Sequence, residues 1–322
     1  MTSIRFGGLA LYALVCAMPV AAQTQYPVKP VRLVVPFAPG GSADLLARVV
    51  GQKLGDTLGQ QVVIENRPGA AGNIGAEFVV KAPPDGYTLL LGNLDQAISM
   101  SFYDKLNYHL VRDLTPVSGL AFTPLAVAVH ASLPAKSIKE LVGLAKARPN
   151  ELGVSSPGAG SAGHLAAELL CQMAGIRMTQ VAYKGGAPAT VALLTGEVAA
   201  GFPSVATVLP YIKSDKLRAL AVTSAQRAAS IPDVPTVSEA GLSGYEIVLW
   251  GGLYAPNGTP KEITSLLSRE SLNVLKLRDV KERLDAGGLT PFGATQEEFG
   301  TFVRNEVEKW AKVVKTSGAR AN

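Results

Sequence analysis

The chain is poor in cysteine, histidine and charge. Of its 322 residues, two are cysteine, three are histidine and 17% are charged. Cys16 and Cys171 cannot make a disulfide framework, and the segment that carries Cys16 reads as removed on export, which leaves Cys171 alone. Its surroundings, "HLAAELLCQMAG", are those of a small core residue on a helix. His109, His130 and His164 have no metal-ligand spacing, so neither a metal nor another cofactor is expected. Lys and Arg number 30 against 25 Asp and Glu, but the excess is spread along the chain. Without a clustered basic face, a nucleic-acid surface is excluded. Beyond the N-terminus no segment offers 18 uninterrupted apolar residues, so no membrane span is expected.

What the chain has in quantity is apolar surface, 48% of residues, and glycine, 33 of them. That length and composition can fill more than one core, and two lobes are the expectation. The first residues read as a targeting signal. Arg5 supplies a positive start, "GGLALYALVCAMPV" an apolar middle, and Val20-Ala21-Ala22 small residues for cleavage before Gln23. Val15 stands where lipid attachment at Cys16 would want a smaller residue. Residues 1–22 are therefore assigned to a signal peptide, and the mature chain to the periplasm.

From "KPVRLVVPF" to "YTLLLGN" the pattern is strand, helix, strand, helix, strand, which predicts a parallel sheet with right-handed crossovers. It restarts near Leu125 with "PLAVAVHA" and runs as a second α/β unit to "LRALAVTS". After "IPDVPTVSEAG" come the strand "YEIVLWGGLYAP" and helices to the C-terminus. The last of these spaces Phe299, Phe302, Val303, Val307 and Trp310 for one buried face. A mostly helical tail needs a sheet to cover, and the first unit's sheet is available. The predicted fold is thus α/β with a mainly parallel sheet in each of two lobes and two hinge crossings. Lobe one is expected over 23–124 plus 232–322, and lobe two over 125–231.

Two glycine-rich loops, "PFAPGGSAD" and "SSPGAGSAGH", each end a strand and open a helix. Such loops aim unpaired N–H groups and a helix dipole at an anion. In open α/β sheets ligands sit beyond the carboxyl ends of the strands, where both loops fall. In the first, Ser42 or Asp44 caps the helix, and Asp44 takes a structural role because it would repel an anion. Gly41 and Gly160 read as points of close backbone approach, with a positive φ expected at Gly41. A third glycine turn, "YKGGAPA", places Lys184 either on a solvated rim or against a ligand carboxylate. Trp250 is expected to pack near a hinge.

Catalysis looks poor. Gly158-x-Gly160-x-x-Gly163 matches the dinucleotide fingerprint formally, but the next strand ends in Tyr183 and Lys184 rather than an acid. Gly-x-Ser-x-Gly is absent. Ser161 with His164 is the one serine–histidine pair, and an exported serine hydrolase using it is the alternative reading.

The stretches "YPVKPVRLVVPFAPGGSADLLARVV", "VIENRPGAAGNIGAEFVVKAPPDGYTLLLGN", "SSPGAGSAGHLAAELL", "YKGGAPA", "DVPTVSEAG" and "WGGLYAP" occur in this order over essentially the whole mature chain. Together they resemble the tripartite tricarboxylate transporter substrate-binding proteins, also called Bug proteins. The resemblance implies a type II-like periplasmic binding protein of Venus-flytrap form that holds a small carboxylate or related polar metabolite between its lobes. It is expected as a non-enzymatic monomer that hands its ligand to a cognate membrane permease. By motif, the implied ligand contacts are Phe37, Ala38, Gly40, Gly41 and Ser42; Ser155, Ser156, Gly160, Ser161 and His164; and Tyr183, Lys184 and Gly185. Two loops depart from the family pattern. Leu94-Asp95-Gln96 replaces a "GTSGTH"-like run, and Pro203-Ser204 replaces a common aspartate. Both loops face the cleft in the family, which adds Asn93, Asp95 and Ser204 to the implied contacts, and an aspartate there favours an amine or amide on the ligand.

Overall fold

The computed structural model describes residues 26–317; the signal-peptide assignment lies outside these residues. In chain order the elements are β1 (Val31–Val35), α1 (Ser42–Leu58), β2 (Val62–Asn66), α2 (Asn73–Val80), β3 (Thr88–Asn93), α3 (Leu94–Phe102), α4 (Leu110–Asp113) and β4 (Leu114–Pro124). There follow β5 (Ala126–His130), α5 (Ile138–Ala147), β6 (Gly153–Ser156), α6 (Ala162–Ala174), β7 (Thr179–Ala182), α7 (Gly186–Leu194), β8 (Ala200–Gly201), α8 (Val205–Lys213) and β9 (Leu217–Val222). The chain ends with β10 (Val248–Pro256), α9 (Lys261–Lys276), α10 (Arg278–Ala286), β11 (Thr290–Ala294) and α11 (Gln296–Ser317).

The strands form two sheets, ordered β11-β4-β10-β3-β1-β2 and β7-β6-β8-β5-β9. β1, β2 and β3 pair in parallel, as do β6 with β7 and β8. Of the three strands that run against their neighbours, two enter from the other half, and the third, β11, follows α10 and pairs with β4 at the edge of the first sheet. β10 inserts between β3 and β4, and β5 between β8 and β9, each against both neighbours. β4 therefore runs with β1 to β3, and β9 with β6 to β8, so the strand directions are mainly common while the ladders are mixed. A strand arriving from across the molecule has no crossover helix to reverse it, which is why it enters in the opposite sense.

Leu125 alone separates β4 from β5 and carries the chain from one sheet to the other. The return was expected near 231–235, but that segment is still tied to β9 through a Val222–Thr236 bridge and a Val237 N–H bond to Val222. The chain reaches the first sheet only at Val248. Thr223 joins the two passages. Its N–H donates to Leu125 O (2.9 Å), its hydroxyl donates to Ile247 O (2.6 Å), and it accepts from Leu125 N (2.9 Å).

α1, α9 and α10 bury Leu46, Val50, Leu267 and Leu284 against one face of the first sheet. On the other face α11 seats Phe299, Val303 and Trp310, each at most 2% exposed, as the tail's periodicity predicts. Trp250 packs there rather than at the cleft, its indole N–H donating to Glu306 at 3.0 Å. The second sheet buries Val127, Val154 and Leu165 on one side and Ala126, Leu193 and Leu209 on the other.

Candidate functional site

The loop from β1 to α1 is held from below. Asp44 is 5% exposed and accepts from Gly40 N (3.0 Å), from Arg48 Nε and Nη2 (2.9 and 3.0 Å) and from Asn66 Nδ2 (3.0 Å). Burial pushes its pKa up, but the bonds from Arg48, Gly40 and Asn66 outweigh burial and hold it below the usual carboxylate range. Asn66 also donates to Phe37 O at 3.0 Å. The expectation that Ser42 or Asp44 caps α1 is therefore corrected. The N-cap is Gly41, with φ −85° and no side-chain cap, and the positive φ belongs to Gly40, at +84°. Asp44 spends its oxygens on the loop before the helix, so the first N–H groups of α1 stay unclaimed.

The second loop, from β6 to α6, is arranged differently. Its N-cap Ser161 accepts from His164 N (3.3 Å), and His164 Nδ1 accepts from Gly160 N (2.9 Å). Ala162 N donates to Asp95 Oδ1 (2.8 Å), which reaches across from α3 on the first sheet. Two of the first N–H groups of this helix, those of Ala162 and His164, are thus satisfied within the chain. Two further bonds and contacts close the mouth of the cleft on the same side. Tyr103 OH donates to Ala159 O (2.8 Å), and the Phe102 ring meets His164 edge to face, 5.8 Å between centroids.

α7 and α8 bring two more helix starts. α7 is capped by Gly185, with φ +128° and no side-chain hydrogen bond. A Cβ at Gly185 would stand 3.2 Å from Ala38 N, which shows how closely the first and third loops approach. α8 is capped by Ser204, whose hydroxyl accepts from Thr207 N (3.3 Å) and lies 2.8 Å from Thr207 Oγ1. α3 begins with a full capping box. Asn93 Oδ1 accepts from the backbone of its first turn, and Gln96 Oε1 accepts from Asn93 N at 2.8 Å.

These five helix starts converge on one cavity of about 40 Å³ between the sheets. At roughly 10–15 Å³ per water, that is room for about three waters or a compact small ligand. Phe37, Gly41, Ser42, Asn93, Asp95 and Ser204, all among the contacts the resemblance implies, line it. Thr207, Gly186, Gly163, Phe202 and Leu249 also line it, and sequence reasoning missed them. Ser204-x-x-Thr207 ahead of an apolar run was a cap signal that could have pointed to one of them.

The remaining candidates stand behind the lining. Ala38 and Gly40 shape the first loop, and Gly185 backs onto it. Ser155 and Ser156 are buried at the end of β6, the Ser156 hydroxyl without a hydrogen-bond partner among the described residues. Gly160, Ser161 and His164 build the α6 cap. Tyr183 turns away to donate to Glu197 at 2.7 Å, and Lys184 is exposed, on the rim rather than at the cavity.

Asp95 is the one ionisable side chain among the residues lining the cavity. It is 4% exposed, and burial pushes its pKa up to about 7, against a smaller pull from the Ala162 N–H. The serine–histidine pair has no catalytic geometry. Ser161 is fully buried with its oxygen accepting a backbone N–H, and the only ring nitrogen of His164 near the loop is already an acceptor. Burial also lowers the His164 pKa, so the ring is neutral and serves as a cap. Cys171 is 8% exposed, and burial raises its thiol pKa to about 11.

The description "Tripartite tricarboxylate transporter family receptor" matches residues 46–319. Protein BugT of Bordetella pertussis is 40% identical over 306 residues, covering 94% of each chain. Two solved structures superpose closely. R. palustris Rpa4515 with adipate gives a TM-score of 0.88 at 37% identity, covering 91% of this chain and 98% of that one. MatC of Rhodopseudomonas palustris with bound malate gives 0.86 at 33% identity, covering 90% and 100%. The matched family model and the extent of identity together place this chain. It belongs to the tripartite tricarboxylate transporter receptor family, whose members bind solutes rather than transform them.

Proposed function

We propose that this protein is a periplasmic receptor that captures a small carboxylate between its lobes and presents it to a membrane permease of the tripartite tricarboxylate type. The observation that carries the reading is the pair of bare helix starts, α1 at Gly41 and α7 at Gly185, which come from the two sheets and meet beside a cavity that no lysine or arginine lines. Unclaimed N–H groups and two helix dipoles supply the positive potential that a side-chain cation would otherwise give. The hydroxyls of Ser42 and Ser204 and the Asn93 amide add neutral donors at the same cavity. Adipate in Rpa4515 and malate in MatC support the ligand class.

In this reading the chain is exported, cleaved near Ala22, and works as a monomer. Lobe one comprises 23–124 with 232–322, and lobe two 125–231, with the stretch to Ile247 lying along the boundary. Phe37, Ala38, Gly40, Gly41 and Ser42 form the seat in lobe one. Gly185 and Ser204 face it from lobe two, with Ser155, Ser156, Gly160, Ser161 and His164 supporting the α6 side.

The test is a thermal-shift screen over mono-, di- and tricarboxylates, amino acids and amides. A ligand at a hundredfold excess over its dissociation constant adds about 2.7 kcal/mol of stability, enough to raise melting by a few degrees. A panel of that breadth with no shift would sink the reading.

A further inference from the structure

The cavity is chemically lopsided. At one side lie the unclaimed helix starts of α1 and α7, which favour negative charge. At the other lies Asp95, more than nine-tenths buried and the only ionisable side chain in the lining, an anion once the pH passes about 7. Its Oδ1 accepts from Ala162 N, while Oδ2 accepts no hydrogen bond from the described residues. The nearest phenol, Tyr103, directs its proton to Ala159 O instead. Asp95 thus sits where an anion would otherwise occupy the α6 N-terminus, and it presents an acceptor to whatever enters.

A dicarboxylate would find a seat for one end and a like charge for the other. That repulsion acts in a small, largely buried space where screening is weaker than at the surface. A ligand with one carboxylate and one N–H donor meets both needs, because its donor supplies Oδ2 with the missing bond and pairs with the charge. We infer that Asp95 makes this receptor selective for a small carboxylate bearing an ammonium or primary amide group, and excludes dicarboxylates of the same length. This rests on the receptor function proposed above and names the ligand class for that same cavity.

Three probes of one chain length separate the possibilities: succinate, its monoamide succinamate, and 4-aminobutanoate, titrated calorimetrically at pH 8 into the wild type and Asp95→Asn. The Asn side chain keeps an acceptor for Ala162 N but turns an N–H donor toward the cavity. Melting of the ligand-free variant verifies that it is folded. Succinamate or 4-aminobutanoate should bind the wild type at least tenfold more tightly than succinate, and Asp95→Asn should level or invert that order. Succinate binding the wild type as well as its partners, or an unchanged order in Asp95→Asn, overturns the selectivity while leaving a carboxylate receptor in place. Failure of all three to bind either protein also overturns the inference, while the broader thermal-shift panel decides the receptor function separately.

Discussion

Replacing Gly160 with alanine tests whether the closed cleft is the binding state. The new methyl carbon would stand 2.5 Å from Phe102 Cδ1 and 2.9 Å from Cγ and Cε1. Carbon atoms in contact sit about 3.5–4.0 Å apart, so the overlap is about 1 Å. Gly160 also has φ +74°, a conformation that costs a non-glycine residue roughly 1–2 kcal/mol. The two penalties act differently. The backbone strain belongs to the loop and lowers stability whether the cleft is open or closed. The clash joins α3 on one sheet to the loop before α6 on the other, so separation of the lobes relieves it. An overpacking cost of about 1–3 kcal/mol on the closed form alone reduces apparent affinity by about 5- to 150-fold. Calorimetry gives the affinity, and solution scattering gives the radius of gyration, which ligand should no longer shrink. Adding Phe102→Leu trims the ring and should restore much of the affinity without recovering the lost stability. A folded Gly160→Ala protein with wild-type affinity and wild-type compaction would refute the reasoning.

Three further outcomes are expected. Because burial raises the Asp95 pKa to about 7, its contribution to stability is full below about pH 4 and declines as pH rises to about 7, on the order of 4 kcal/mol over the window. Urea unfolding at several pH values should show that decline in the wild type relative to Asp95→Asn, and parallel pH profiles for the two proteins would contradict it. Cys171, buried and with its thiol pKa raised to about 11, should react with a thiol reagent at pH 8 only after denaturation; fast labelling of the folded protein would put it at the surface. Ser161→Ala should cost about 1 kcal/mol of stability as a lost helix cap and leave no ester-hydrolysing activity to lose; an esterase activity abolished by this change would revive the hydrolase.

The sequence shows the parallel halves of both sheets because their strands are short apolar runs closed by glycine or proline, such as those ending at Phe37 and Asn93. β4 was missed because Pro116, Gly119 and Pro124 give it the composition of a loop, and β11 because Pro291 and Gly293 do the same. Neighbouring strands supply the order that local propensity does not. In the site, the glycine loops were legible as helix starts, but which termini stay bare was not. That depends on Asp44 turning back to Gly40 and on Asp95 crossing to Ala162, and neither partnership has a sequence spacing. Glycine position was equally deceptive: Gly40 and Gly41 look alike in the chain, and only the first needs the left-handed region.

Thr223 has a mechanical consequence. It stitches Leu125 to Ile247, so the two passages between the sheets are fastened side by side at one point. Any movement of one half against the other must turn through the few bonds around that point. On the receptor function proposed above, closure of the lobes would pivot on this one hydroxyl.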